Sequence, residues 1–307
     1  MLILEIERRA GDHPHAILWL GDASGRLPSA PFWSADQGRL VGLRRGDVVA
    51  VRGRITSWRD RRQLAIDSLQ VLPGERAPWE DLLPSIGDRA PWWSRLDAWR
   101  CGLGSPRLRA ALAIFFDDRD FRHRFGECPA STSGHHAKLG GLLQHSCEVA
   151  HLALTLARAT PAADPDLLLA GALLHDIGKL DSYRWDGPFE TTVTGHVLGH
   201  VVLGCLRFDR AVGTAPNPPL TPSELILLQH LILSHHGRAE FGAPVRPMTL
   251  EAEILHYADD ASARTDAMAS ALADPGLFPD GAEVSVRPLW QLDQRRVWRG
   301  RSAWGRS

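Results

Sequence analysis

From residue 139 onward, apolar residues recur three and four positions apart in five successive stretches: LGGLLQHSCEVAHLALTLARA, PDLLLAGALLHDIG, TGHVLGHVVLGCLRF, PSELILLQHLILSHHG and TLEAEILHYADDASARTDAMASAL. That spacing gives each segment one wide apolar stripe at helical period, and such stripes are satisfied by packing on one another. It predicts an all-α bundle. Pro165 and Asp166, Thr194, and Pro222 and Ser223 are residue types that open helices. Residues 1–72 follow a different period: LILEIE, HAILWL, DVVAVRGRITSW and RRQLAIDSLQVL are short alternating or β-branched runs parted by Gly-Asp, Ser-Gly and Arg-Asp turns. They predict a small β-barrel. The expected fold class is therefore multidomain α+β: a barrel over 1–73, a linker over 74–104 punctuated by Pro and Trp, a helical domain over 105–272, and a tail over 273–307 packed on the bundle.

With 307 residues, 44% of them hydrophobic, the chain is long enough for two cores. The net charge of -1 excludes a uniformly basic surface wrapped around a polyanion. The charge is uneven, however, at +3 over 1–72 and -6 over 135–270, the latter a place suited to gathering cations. No stretch approaches the roughly 20 apolar residues that cross a bilayer, and Glu5 and Glu7 interrupt the start. No membrane partner and a cytoplasmic location are expected. Cys101, Cys128, Cys147 and Cys205 form no CxxC pair, so neither a zinc ribbon nor a disulfide framework is expected, only small buried filler.

Eleven of the 14 histidines lie between His135 and His256, a concentration that core packing does not explain. Each helical stretch brings one or two ligand-type side chains: His145 early in the first, His175 and Asp176 at the end of the second, His200 four residues after His196 in the third, His235 and His236 at the end of the fourth, and Asp259 in the fifth. Facing helices can aim such groups at one point. A mixture of imidazole and carboxylate suits Mn, Fe, Ni or Zn better than Mg.

On these residues the sequence resembles the HD-domain metal-dependent phosphohydrolases, whose paired His and Asp match His175-Asp176 inside LLHDIGK. Taken together, SGHHAKLGGLLQHS, TGHVLGH, LILSHHG, LEAEILHYADD, the preceding barrel and the tail LDQRRVWRG are similar to the YhaM-type 3′-to-5′ exoribonucleases, over nearly the whole chain. The resemblance implies that His145, His175, Asp176 and Asp259 hold one divalent ion. It also implies that Asp176 bridges to a second ion held by His200 and His235, with His236 as an alternative ligand or a substrate contact. Manganese is the expected metal, with Fe, Ni, Zn or Mg as alternatives. The chain departs from the family at Ser262, where another acid is common, and at Lys138, where an aromatic is common.

Two ions in one site acidify a water and clamp phosphoryl oxygens, so hydrolysis of a phosphate ester follows. Asp176 is expected to be catalytic, and so is Lys179, one of only two lysines, as a positive charge on the phosphate. His135 and His136, before Gly140-Gly141, are expected substrate contacts or a plain surface loop. The resemblance implies that the barrel is an oligonucleotide-binding (OB) fold; Trp19, Phe32, Trp33 and Trp58, interleaved with seven arginines between Arg44 and Arg62, have chemistry that suits one, and equally suit a barrel core with a solubilising surface. Alternation puts Arg52, Arg54, Thr56 and Trp58 on one strand face, with Val51, Gly53, Ile55 and Ser57 facing inward. Substrate contacts are thus expected at Trp19, Trp33, Arg52, Arg54, Trp58 and Arg61.

The leading expectation is a 3′-5′ exonuclease that converts single-stranded RNA, or also DNA, to nucleoside 5′-monophosphates. Its alternatives are an HD-type phosphohydrolase of small nucleotides and a non-catalytic OB-fold protein that binds single strands. Trp92, Trp93 and Trp99 are candidates for a contact in a homo-oligomer or for packing between domains.

Overall fold

The computed structural model describes residues 1–58, 61–73 and 79–300, without the side chains of Arg61, Glu80 and Asp280. It divides into two compact units. The first takes Met1–Ser85 with Trp185–Phe189, and the second takes Ile86–Arg184 and the chain from Glu190 onward.

The first unit holds β1 (Leu2–Arg9), β2 (His15–Asp22), β3 (Gly25–Pro28), β4 (Phe32–Trp33), β5 (Val48–Trp58), β6 (Arg61–Leu72) and the single turn α1 (Trp79–Leu82). The strands form one antiparallel sheet in the order β3-β2-β1-β5-β6, with β4 beside β2. Alternation in β2 buries Ala16, Leu18 and Leu20 against Ile3, Phe32, Leu40, Val49, Leu64 and Ile66. The expected barrel is looser than a closed one. β3 is only four residues long, and the ends of the strand order meet through a lone Ser29–Leu64 bridge, with Ala30 N–H donating to Leu64 O at 2.8 Å.

The strand β5 also corrects the sequence reading. It pairs with β1 at Leu2 and Val48, and its register with β6 slips between Arg52 and Gly53. Beyond that slip the β5–β6 hairpin is exposed on both faces: Ile55 is 60% exposed and Trp58 64%. Ile55 therefore does not face inward, because none of the described residues forms a layer over the hairpin there.

The second unit contains α2 (Ala90–Cys101), α3 (Pro106–Phe116), α4 (Arg119–Glu127), α5 (Gly141–Ala159), α6 (Pro165–Leu174), α7 (Lys179–Ser182), β7 (Tyr183–Arg184), β8 (Glu190–Thr191), α8 (Val193–Gly213), α9 (Pro222–Ser234) and α10 (Leu250–Ala273). The helix starts follow from capping. Asp164, Thr192, Thr221 and Thr249 each accept a backbone N–H of the first turn, and Thr221 closes a reciprocal capping box with Glu224. α5 packs on α6 and α10, α7 on α8, and α8 on α9.

Within the span read as a linker, residues 90–101 are helix, and Leu96 of α2 is fully buried. Pro91, which looks like loop punctuation, sits in the first turn of α2, where a missing N–H costs nothing. Trp92, Trp93 and Trp99 are half-buried, Trp93 lying 6.0 Å from the Phe125 ring with the Arg122 guanidinium 4.1 Å over it. After α10 the chain packs Leu277, Phe278, Leu289, Leu292 and Val297 onto Ala267, Met268, Ala271 and Leu272. Of the four cysteines, Cys128 and Cys147 are buried, whereas Cys101 is exposed. Among the described residues, no helix is long and apolar enough to cross a membrane.

Candidate metal centre

Two of the helices end in the same way. His175 is the C-cap of α6 and His235 the C-cap of α9, and each ring turns back so that Nδ1 meets the carbonyl three residues earlier, Ala172 O at 2.8 Å and Ile232 O at 2.7 Å. Those carbonyls have no partner further along the helix, so the ring satisfies them. A carbonyl only accepts, so each Nδ1 donates its hydrogen, which in the neutral ring leaves Nε2 with its lone pair. His236 repeats the device with Nδ1 at 2.6 Å from Phe241 O. The local fold thus fixes three imidazoles with Nε2 turned inward.

The Nε2 atoms of His145, His175, His200 and His235 converge on Asp176, which is 1% exposed. Its Oδ2 lies 3.1 Å from His175 Nε2 and 3.4 Å from His145 Nε2, while its Oδ1 lies 3.4 Å from His200 Nε2 and 3.7 Å from His235 Nε2. One carboxylate therefore presents one oxygen to each of two imidazole pairs. Asp259 Oδ1 joins the first, 3.0 Å from His145 Nε2 and 3.8 Å from His175 Nε2. His236 Nε2 joins the second, 3.3 Å from His200 Nε2. His145, His175 and Asp176 form one group and His200, His235 and His236 another, each with ligand atoms within 4.8 Å of one another.

The residues fit a bound cation. Both Asp176 oxygens and His235 Nε2 are buried and lack a hydrogen-bond partner of good geometry. The Lys179 ammonium stands against Asp176 Oδ2 alone, so Asp176 Oδ1 and the inward nitrogens of His200 and His235 still gather electron pairs that a bound cation would relieve.

The electrostatics agree. Burial opposes charge on Asp176 and Asp259, yet Lys179 and the site imidazoles outweigh it and hold both carboxyls well below the usual carboxylate range. Burial pushes His200 and His135 down to about 3 and His235 well below its ordinary value, so these rings are neutral at pH 7. His145 differs: against the effect of burial, Asp176 and Asp259 raise it.

Asp259 comes from the middle of α10 and His145 from the second turn of α5, two helices packed on each other. His200 arrives by another route. α8 breaks at Gly199, with φ 75° and ψ 152°, a conformation open to glycine and costly for other residues. The kink removes His196 from the i, i+4 face that the sequence suggests; His196 is exposed, and His200 turns in alone. Gly199→Ala is expected to destabilise the protein by about 1–3 kcal/mol in urea melts and to weaken metal binding through His200.

Two expected contacts lie elsewhere than the sequence suggests. Lys179 does not reach outward for phosphate; it is 4% exposed, with Nζ 2.5 Å from Asp176 Oδ2, one helical turn away. His136 is not a surface residue. It is buried with φ 47°, its ring between Glu148 and Asp266. His135 remains at the site, its ring centroid 5.3 Å from that of His145.

The other expected substrate contacts belong to the first unit. Trp19 is half-buried, donating Nε1–H to Glu7 Oε2 at 3.4 Å, with the Arg26 guanidinium 5.6 Å from its ring. Trp33 is 49% exposed and lies 5.0 Å from the His15 ring. Arg52, Arg54 and Trp58 are exposed on β5, Arg54 being 4.0 Å from Asp67. The side chain of Arg61 lies outside the described residues. Sequence reasoning missed Glu148 and Asp266, which are helical acids without a motif of their own.

Comparison with known proteins finds relatives over most of the chain. Residues 142–264 match the model of the HD domain family. Proteins named 3′-5′ exoribonuclease YhaM are similar over most of the chain. The one from Bacillus subtilis (strain 168) is 33% identical over 273 residues, covering 87% of this chain and 84% of that protein. The Bacillus licheniformis protein is 34% identical and the Bacillus pumilus protein 32%, both with the same coverage. No solved structure matches the chain significantly. On this identity and coverage, the chain belongs to the YhaM family of HD-domain 3′-5′ exoribonucleases.

Proposed function

We propose that this protein is a metal-dependent 3′-5′ exonuclease that shortens single-stranded RNA and releases nucleoside 5′-monophosphates. The observation that carries the reading is Asp176, buried between two imidazole pairs with one oxygen toward each. That arrangement suits two divalent ions, the first held by His145, His175, Asp176 and Asp259 and the second by Asp176, His200 and His235, with His236 completing it. A donor set of imidazole and carboxylate favours a borderline transition metal, with Mn²⁺ the choice here over Fe, Ni, Zn or Mg. Bound there, such ions supply Lewis acidity that acidifies a water and neutralises phosphoryl charge.

The chain's own residues do the rest. Lys179 keeps Asp176 ionised, so its two oxygens stay available. The carbonyls of Ala172, Ile232 and Phe241 fix the ring orientations of His175, His235 and His236. His135 lies beside His145, where an RNA phosphate would sit. Water oxygen bonds to phosphorus as the P–O3′ bond breaks, so the departing nucleotide keeps its 5′ phosphate and the shortened strand takes a proton on O3′. In the first unit, Arg52, Arg54 and Trp58, with Trp19 and Trp33, offer positive charge and ring faces to a single strand.

The test is an end-labelled oligoribonucleotide incubated with Mn²⁺, beside the same sequence as DNA. Stepwise shortening from the 3′ end supports the proposal. Phosphate release from mononucleotides alone, or binding without cleavage, rejects it. Trp58→Ala is expected to weaken RNA binding about tenfold, within the range of one base stack, with cleavage of a dinucleotide unchanged; a filter-binding titration reads the first effect.

Metal binding should also depend on pH. Asp176 and Asp259 raise His145 above its ordinary value of 6.5, so below that pH an ion must displace its proton, whereas His200 at about 3 carries none. Mn²⁺ affinity is expected to fall at least about tenfold per unit between pH 6.5 and 5. A calorimetric titration that finds the same affinity at both ends contradicts this.

A further inference from the structure

Behind His145 runs a line of polar side chains that nothing described so far uses. His145 Nδ1 lies 3.1 Å from Ser262 Oγ on α10, and both residues are buried. Ser262 Oγ lies 3.0 Å from Glu148 Oε2 on α5. The same Oε2 is 3.0 Å from His136 Nε2, and His136 Nδ1 is 3.4 Å from Asp266 Oδ1. Asp266 also accepts the backbone N–H of His136 at 2.8 Å, which anchors that residue.

The direction of each bond follows from chemistry. An ionised carboxylate only accepts, so the Ser262 hydroxyl donates its hydrogen to Glu148 and offers a lone pair to His145. His145 must then carry its hydrogen on Nδ1, leaving Nε2 for the side where Asp176 and Asp259 stand. Against burial, His136, Gln144 and Ser262 hold the Glu148 carboxyl down at about 2, so it stays an acceptor. His175, His235 and His236 obtain the same outcome from backbone carbonyls. A hydroxyl alone would leave His145 undetermined, because it donates as readily as it accepts.

We propose that Ser262 and Glu148 form a positioning relay that orients His145 and commits its Nε2 to the metal. Ser262 and Glu148 are positioning residues: they act through His145 and touch no reacting atom. This inference rests on the metal-centre reading above and deepens it.

The test is Mn²⁺ binding to the full chain, followed by electron paramagnetic resonance, with the thermal melt of the metal-free protein alongside. Ser262→Ala is expected to bind Mn²⁺ about 10–100-fold more weakly, the usual effect of removing a group that orients a metal ligand. Ser262→Thr, which keeps the hydroxyl, is expected to stay within about threefold of wild type, and Glu148→Gln to fall between the two. A Ser262→Ala protein that melts at a lower temperature yet binds Mn²⁺ as tightly as wild type overturns the relay, provided His145→Ala loses binding. If His145→Ala also binds normally, it is the metal-centre reading that fails. Should Ser262→Ala not fold, Glu148→Gln carries the test, and wild-type affinity there overturns the relay equally.

Discussion

Asp176→Asn is expected to abolish RNA shortening, by at least about 10³-fold, because this one side chain faces both imidazole groups and the change removes its charge from both. The same change should also weaken the fold. Lys179 is buried with its ammonium 2.5 Å from Asp176 Oδ2, and deleting one partner of a buried ion pair costs about 3–5 kcal/mol. Loss of activity in the single variant therefore has two sources. A double variant, Asp176→Asn with Lys179→Met, separates them. It removes the stranded charge, so urea melts of the metal-free protein should return toward wild type, while RNA shortening stays abolished. A double variant that recovers activity along with stability would show that Asp176 serves the fold alone.

Gly178→Ala is expected to be the most damaging single methyl addition in the second unit. A Cβ there would press into His200 O and Gly204 N, and would stand 2.8 Å from Gly204 Cα. All three atoms are backbone of α8, so no side chain can swing aside. The start of α7 and the middle of α8 must separate, and the turn that moves carries His200. The expected loss is about 2–4 kcal/mol in urea melts, at the upper end for overpacking, together with weaker metal binding. Gly213→Ala, near the end of the same helix with nothing within 4 Å of the added methyl, is the control; it should be neutral or stabilising by up to about 1 kcal/mol. Equal effects at the two positions would contradict the close approach of α7 and α8.

The helices, and the side chains they carry to the centre, were legible because apolar spacing and the His-Asp and His-His dipeptides are local signals. The starts at Pro165 and Pro222 are where the structure has them, and Asp164 and Thr221 supply the caps. What local signals missed was set by distant partners. Ile55 alternates as an inward residue, but whether a layer covers it depends on how far β1 runs along β5. His196 and His200 share a helical face on paper, and a single glycine torsion parts them. Pro91, within residues 74–104, reads as linker because Pro breaks a helix and also begins one. Ser262 stands out in sequence only as a departure from the family's common acid. Its partners lie 114 and 117 positions away, and only the packing of α5 on α10 brings them together.

The central claim is that His145, His175, Asp176, His200, His235 and Asp259 surround a pair of divalent ions. Anomalous diffraction at the manganese edge from crystals soaked in Mn²⁺ tests it most directly. The account predicts two peaks, one on each side of the Asp176 carboxylate, both absent from Asp176→Asn crystals. Peaks elsewhere on the protein, with none beside Asp176, would contradict it.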